Sequence, residues 1–268
     1  MSNRGIFDLS GKVAIVVGGA SGIGEAVTIG AVAQGARVVC LDVKEAEAKS
    51  VATRAAADAG VDASMCEAGT LDIRDGAAVK ASFADVRARL GSLDIVICTP
   101  SINVRKPILK YTEEELDRVL TVNIKGNFNV LQAAGAIMTE QKRGSIVLFS
   151  SVRSQVVEPG QGVYAATKAG ILQLAKTAAA EFGPYGVRVN CVGPGVIETP
   201  LTQPIKANES WYNAYAAKSV FNRWGRADEM VGPTLFLVSD AASFVTGTIV
   251  FADGGWLAAD GRFTPPGM

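Results

Sequence analysis

Histidine is absent from the 268 residues. Its absence removes a histidine general base, a Ser-His-Asp triad and every histidine-containing metal site. Cysteine is scarce: Cys40, Cys66, Cys98 and Cys191 lie far apart and show no C-x-x-C spacing. That points away from a structural zinc site or a redox dithiol, and towards reduced, buried thiols in a cytosolic protein. Neither sign of charge is in excess, with 26 Lys+Arg against 26 Asp+Glu. A balanced chain carries no overall electrostatic footprint for nucleic acid or an anionic membrane, a local patch excepted. No run approaches the ~20 apolar residues that cross a bilayer, and the start is polar without an apolar signal core. The expectation is a cytoplasmic protein without metal, nucleic acid or membrane as partner.

Glycine is plentiful at 29 residues, aromatics are only 7%, and 49% of the chain is hydrophobic. That mix suits an α/β protein with many tight turns. Short β-branched runs at 13–17, 37–42, 63–68, 93–98, 145–150, 187–191 and 248–251 read as strands. Longer, often Ala-rich stretches at 22–34, 44–59, 77–90, 112–138, 164–182 and 228–237 read as helices between them. Such alternation implies βαβ units, right-handed crossovers and a doubly wound, mostly parallel sheet covered on both faces. No linker or repeat divides the chain, so one domain over 1–268 is expected. Residues 193–226 break the rhythm and form an irregular stretch, with a substrate loop at about 196–226. The tail 258–268, with its paired prolines, is expected to be extended.

The first strand runs straight into Gly18-Gly-Ala-Ser21-Gly22-Ile23-Gly24, and a helix follows. Small residues let the backbone approach a pyrophosphate, and the helix N-terminus offers free N–H groups to it. The second strand ends in Asp42, which can accept hydrogen bonds from an adenosine ribose and would repel a 2′-phosphate. No Lys or Arg lies in 18–24, and Val43 follows the acid, so NAD is favoured over NADP. Alternatively, Asp42 only caps the helix that begins near Lys44.

Tyr164-Ala-Ala-Thr-Lys168 opens an Ala-rich helix, and residues four apart share a helix face. A cation beside a phenol favours the phenolate, so Tyr164 could exchange a proton with an alcohol or carbonyl near neutral pH. Ser151 ends a strand, where ligands bind in open α/β sheets, and could hydrogen-bond a reacting oxygen. Asn123 is a polar residue in an apolar helical stretch. It either satisfies backbone groups at a bend or holds a water in a proton path.

Taken together, these residues resemble the short-chain dehydrogenase/reductase family. Gly18-x-x-x-Gly22-Ile-Gly24, Asp42, Asp72, Asn123, Ser151, Tyr164 and Lys168 follow its order and spacing, as do Pro194-Gly195-x-x-x-Thr199 and Asp253-Gly-Gly255. The similarity spans roughly residues 9–257. It implies a seven-stranded Rossmann-type parallel sheet, a nicotinamide cofactor and an Asn-Ser-Tyr-Lys proton relay. By the resemblance, Tyr164 is the acid/base and Ser151 orients the substrate oxygen. Lys168 lowers the phenol's pKa and binds the nicotinamide ribose, and Asn123 anchors a water. The turn residues Gly18, Ser21, Gly22, Ile23 and Gly24 would hold the pyrophosphate, and Asp72 with Ile73 would meet the adenine. Thr99, Pro194, Gly195, Ile197 and Thr199 would meet the nicotinamide end. A homo-oligomer, most often a tetramer, is also implied. The chain departs from the family at Cys98-Thr99-Pro100-Ser101, where Asn-Asn-Ala-Gly is usual, and at Val17, where Thr is usual.

For substrate contacts the candidates are Ser151, Tyr164, Arg153 and Gln161, with Gln155 and Asn103 nearby and Trp211, Tyr212 and Tyr215 as an apolar wall or lid. Polar donors and an arginine suit a sugar, sugar acid or polyol, oxidised at a secondary alcohol. Arg153 and Gln155 could equally face solvent or a subunit partner. Rival readings are a carbonyl or 3-oxoacyl reductase and a catalytically idle NAD-binding regulator; an intact Ser151, Tyr164 and Lys168 set argues against the last.

Overall fold

The structure, a computed structural model, describes residues 5–259. Alternate side chains of a strand point to opposite faces, and both faces of β1 (Val13–Val17) are fully buried. Val13, Ile15 and Val17 pack on one side with Phe83, Met138 and Ile171. Ala14 and Val16 pack on the other with Val27, Val32 and Leu237. A strand buried on both faces belongs in the middle of a parallel sheet. The partners are β2 (Arg37–Asp42), β3 (Cys66–Thr70), β4 (Ile95–Cys98), β5 (Gly144–Phe149), β6 (Val187–Pro194) and β7 (Ile249–Ala252). All pair in parallel, in the order β3-β2-β1-β4-β5-β6-β7. Chain order reverses between β1 and β4, and the crevice at such a switch point opens at the carboxyl ends of the strands.

The helices are α1 (Gly22–Ala33), α2 (Glu45–Ala59), α3 (Gly76–Leu90), α4 (Glu113–Leu120), α5 (Asn127–Gln141), α6 (Gly162–Phe182), α7 (Gln203–Lys206), α8 (Glu209–Ala216) and α9 (Val231–Val238). No helix among the described residues is long and apolar enough to cross a membrane.

Three expectations are corrected. The third strand covers 66–70 rather than 63–68, because Asp62 accepts the amide of Ser64 and starts a 3-10 turn at Ala63–Met65. The single helix expected over 112–138 is two, α4 and α5, joined by a π-helical segment at Thr121–Gly126. The stretch 193–226 is less irregular than expected: β6 runs on to Pro194, and α7 and α8 follow. These helices of four and eight residues are too short to show a helical period in the sequence. Residues 260–268 of the tail, and with them its proposed extended form, lie outside the described residues.

Candidate active site

A cleft of about 430 Å³ lies at the carboxyl ends of β1, β2, β4, β5 and β6. It gathers Gly18, Ser21, Gly22, Ile23, Gly24, Asp42, Asp72, Ile73 and Thr99 with Ser151, Tyr164, Lys168, Pro194, Gly195, Ile197 and Thr199.

At the glycine-rich turn the backbone is too close for side chains. Gly18 has φ of 78°, and a Cβ on Gly24 would stand 2.0 Å from the Gly18 carbonyl oxygen. Ser21 occupies the N-cap of α1 without a side-chain capping bond, so its hydroxyl leaves the leading N–H groups of the helix open to an anion. The departure at 98–101 supplies a support: Thr99 Oγ1 donates to the carbonyls of Val17 at 3.0 Å and Gly18 at 3.3 Å. Val17 brings no hydroxyl and instead fills the core. Asp42 accepts the amide of Ala20 at 3.1 Å and that of Lys44 at 3.0 Å. It therefore joins the turn to the start of α2 while lining the cleft. Asp72 also lines the cleft, but Arg74 grips its carboxylate, with Nη2 at 2.5 Å, and holds it below the usual carboxylate range. A backbone cradle, open N–H groups and a ribose-side carboxylate fit a dinucleotide.

At the other end, Lys168 is buried and donates through Nζ to the carbonyl of Phe149 at 2.8 Å. Burial pulls its ammonium down to about 8. The same Nζ stands 5.5 Å from the centre of the Tyr164 ring. Ser150 ties β5 to α6 through a 2.8 Å bond to the Lys168 carbonyl. Ser151 accepts the amide of Arg153 at 3.1 Å. Burial pushes the Tyr164 hydroxyl up; the Ser151 hydroxyl, the charges of Arg105 and Arg153, and the Ser101 hydroxyl push it down, in that order. The charges that lower it are those of Arg105 and Arg153, while the ammonium of Lys168 is turned to a backbone carbonyl.

Asn123 sits in the π-helical segment and clasps the backbone of Ile102. Its Oδ1 accepts the Ile102 amide at 2.9 Å, and its Nδ2 donates to the Ile102 carbonyl at 2.9 Å and to Thr167 Oγ1 at 3.1 Å. The backbone-satisfying role is thus visible.

Arg153 and Gln161 are buried beside the cleft, not in its lining. Arg153 is ion-paired to Glu158 and lies over Trp256, its guanidinium carbon 5.4 Å from the ring centre. Gln161 accepts from Asn103 Nδ2 at 3.0 Å. Gln155 is exposed. Glu158 also receives Arg105 at 3.1 Å and the Tyr215 hydroxyl at 2.6 Å. Burial works against its charge, but Tyr215 and the two guanidiniums hold the carboxyl below its usual range. Trp211 and Tyr215 stack at 6.2 Å, Tyr212 and Trp224 at 4.9 Å. Tyr212, Tyr215 and Trp224 form a wall packed on Val152 and Trp256, with Trp211 exposed at its outer side. Sequence reasoning missed Arg105 and Glu158. Both follow strand ends, β4 and β5, and that position was the one signal available.

A family model described as "Enoyl-(Acyl carrier protein) reductase" matches residues 18–257. A 3-oxoacyl-(acyl-carrier-protein) reductase of Thermotoga maritima is 36% identical over 92% of this chain and 98% of its own length. A gluconate 5-dehydrogenase of Gluconobacter oxydans is 34% identical over 95% of this chain and 98% of its own. The crystal structure of a gluconate 5-dehydrogenase from Burkholderia cenocepacia, in complex with NADP and tartrate, superposes with a TM-score of 0.89 at 32% identity, covering 94% of this chain and 98% of that one.

Proposed function

Because the chain belongs to the short-chain dehydrogenase/reductase family, and is an oxidoreductase of CH–OH groups, we propose that it interconverts a secondary alcohol and a ketone with Tyr164 as acid/base. We read it as one Rossmann-type domain. The observation that carries this reading is the meeting of Ser151, Tyr164 and Lys168 in one cleft with the glycine-rich turn. In oxidation, the Tyr164 oxygen takes the proton of the substrate hydroxyl, and Ser151 holds that oxygen in place. Lys168, fixed by the Phe149 carbonyl close to the ring of Tyr164, would hold the nicotinamide ribose. A bound nicotinamide would supply the hydride chemistry. Gly18, Ser21, Gly22, Ile23 and Gly24 would hold the pyrophosphate; Asp72 and Ile73 would meet the adenine; Thr99, Pro194, Gly195, Ile197 and Thr199 would meet the nicotinamide end. Asn123, bonded to Thr167 of α6, would anchor a proton-path water.

The cofactor is a nicotinamide dinucleotide, and we favour NAD. NADP in the Burkholderia relative argues for the phosphorylated form. What supports NAD is this chain's own Asp42. Of the described residues lining the cleft, only Arg74 and Lys168 are cationic, and Arg74 is already bound to Asp72. A 2′-phosphate would therefore meet a carboxylate and no free cation.

The substrate reading is a sugar, sugar acid or polyol. The gluconate 5-dehydrogenase relatives support it, as do the polar atoms of Asn103, Gln161 and Arg153 beside Ser151 and Tyr164. A second reading, 3-oxoacyl reduction, is favoured by the Thermotoga relative. We further place the protein in the cytoplasm as a homotetramer. Leu116, Leu120 and Phe128, exposed on α4 and α5, supply apolar surface for a second copy.

A panel of sugar acids, polyols and 3-oxoacyl thioesters, run with NAD and with NADP and followed by nicotinamide absorbance, tests these readings. Tyr164→Phe should lower kcat by about 10² to 10⁴-fold and leave NAD affinity nearly unchanged. Asp42→Ala should relax the preference for NAD. Faster turnover of the unaltered protein with NADP would reject the cofactor assignment, and a Tyr164→Phe variant with near-normal kcat would reject the acid/base.

A further inference from the structure

The segment 99–102, where the chain departs from its family, is pinned on either side of Ser101. The Thr99 amide donates to the Val17 carbonyl at 3.1 Å. The Pro100 carbonyl accepts Asn127 Nδ2 at 3.5 Å. Both backbone groups of Ile102 are clasped by Asn123 at 2.9 Å. Within this fixed frame Ser101 Oγ is buried and has no hydrogen-bond partner. Ser101 lines the same cleft as Ser151 and Tyr164. An orphaned, buried hydroxyl is costly, and native proteins keep few of them. A rigid backbone that presents such a group to a reacting centre is what preorganisation requires.

We propose that Ser101 is a positioning residue for Tyr164: reaching from the β4 loop, its unpartnered hydroxyl donates to the phenol oxygen when Ser151 turns to the substrate. The proposal rests on the acid/base reading of Tyr164 and deepens it. Ser151 carries one hydroxyl proton, which cannot be given to the phenol and to a ketone oxygen at once. When Ser151 orients substrate, the phenolate needs another donor. Ser101 supplies it, and the resulting bond favours the charged form of the phenol. The effect of Ser101 on the Tyr164 hydroxyl is already in that direction. The glycine usual at this position has no hydroxyl to give, so the departure adds a function rather than only altering shape.

The test compares Ser101→Ala and Ser101→Gly, which remove the hydroxyl, with Ser101→Thr, which keeps it. The titration of Tyr164 is read without substrate, as the ultraviolet difference between each protein and its Tyr164→Phe counterpart. The Ala and Gly variants should move the phenol midpoint up by about half to one pH unit. They should lower kcat at neutral pH by about 3- to 10-fold, with KM for NAD little changed, and the Thr variant should restore both. An unmoved midpoint in both the Ala and Gly variants overturns the proposal. So does a loss confined to the KM of the alcohol, which would make Ser101 a substrate-binding hydroxyl. If Tyr164→Phe keeps its turnover, the acid/base reading falls on that measurement alone, whereas the substrate-free titration still decides whether Ser101 bonds the phenol.

Discussion

Lys168 shows how much a single buried charge can report. Its ammonium has left water for a site where one carbonyl, that of Phe149, receives it. Desolvation disfavours the charged form, which is why its proton is held only to about 8 in place of the ordinary 10.5. The unfolded chain keeps that proton up to about 10.5, so between these values it binds more protons than the folded protein. The contribution of Lys168 to stability therefore rises across that window and is lost as pH falls through 8. Lys168→Met has no such titration. Its stability relative to the unaltered protein, from urea midpoints, should be highest below pH 8 and should decline towards pH 10.5. A pH-independent difference would show that the ammonium is better solvated than this burial implies.

Among the elements, the π-helical segment 121–126 organises most of the site's far wall. Asn123 in it holds Ile102, Ile102 frames Ser101, and Thr167 links the same asparagine to α6 at 3.1 Å. Thr167 in turn donates to the Tyr164 carbonyl at 2.7 Å. A wide turn inside a helix is a common device at functional sites, because it re-aims one side chain without ending the helix. Asn123→Ala would leave the half-buried amide and carbonyl of Ile102 without partners. The expected loss is roughly 2–4 kcal/mol, the lower part of the range for two orphaned groups at about 1–3 kcal/mol each, because these are only half-buried. Denaturant unfolding measures it, and a loss below about 1 kcal/mol would mean that the loop relaxes to find other partners. The Arg105–Glu158–Tyr215 cluster acts similarly at the other rim, tying α8 to the loops after β4 and β5.

At the scale of the whole molecule, the four cysteines are unpaired and buried. Burial raises Cys40 to about 11 and Cys66, Cys98 and Cys191 to about 12, from an ordinary 9.0. The unfolded chain releases these protons near pH 9 while the folded one retains them, so stability is present below pH 9 and is lost as pH rises. Each thiol removes about 1.4 kcal/mol per pH unit in that range, and Lys168 returns about the same amount until pH 10.5. The urea midpoint should therefore fall steeply between pH 9 and pH 10.5. A flat midpoint over that interval would indicate that water reaches the thiols in the folded state.

The sequence by itself determined the strand-helix alternation, the glycine-rich turn and the Tyr164–Lys168 pair. Each of these rests on a pattern within one segment: a short unbroken apolar run in a strand buried on both faces, close backbone approach at Gly18 and Gly24, and four residues along one helix face. The π-helical segment was hidden because its apolar pattern continues that of α4 and α5. The start of β3 was misplaced because Ala63–Met65 holds no glycine or proline to mark a break, yet is turned by Asp62. Only the tertiary structure decided what surrounds the phenol. Arg105 and Glu158 are 53 residues apart, and Glu158 and Tyr215 are 57 apart. No local pattern joins groups from two loops and a helix; the order of strands in the sheet does. The same holds for Ser101, whose hydroxyl is an ordinary loop residue in the sequence and a buried, unpartnered donor once β4 and β5 lie side by side.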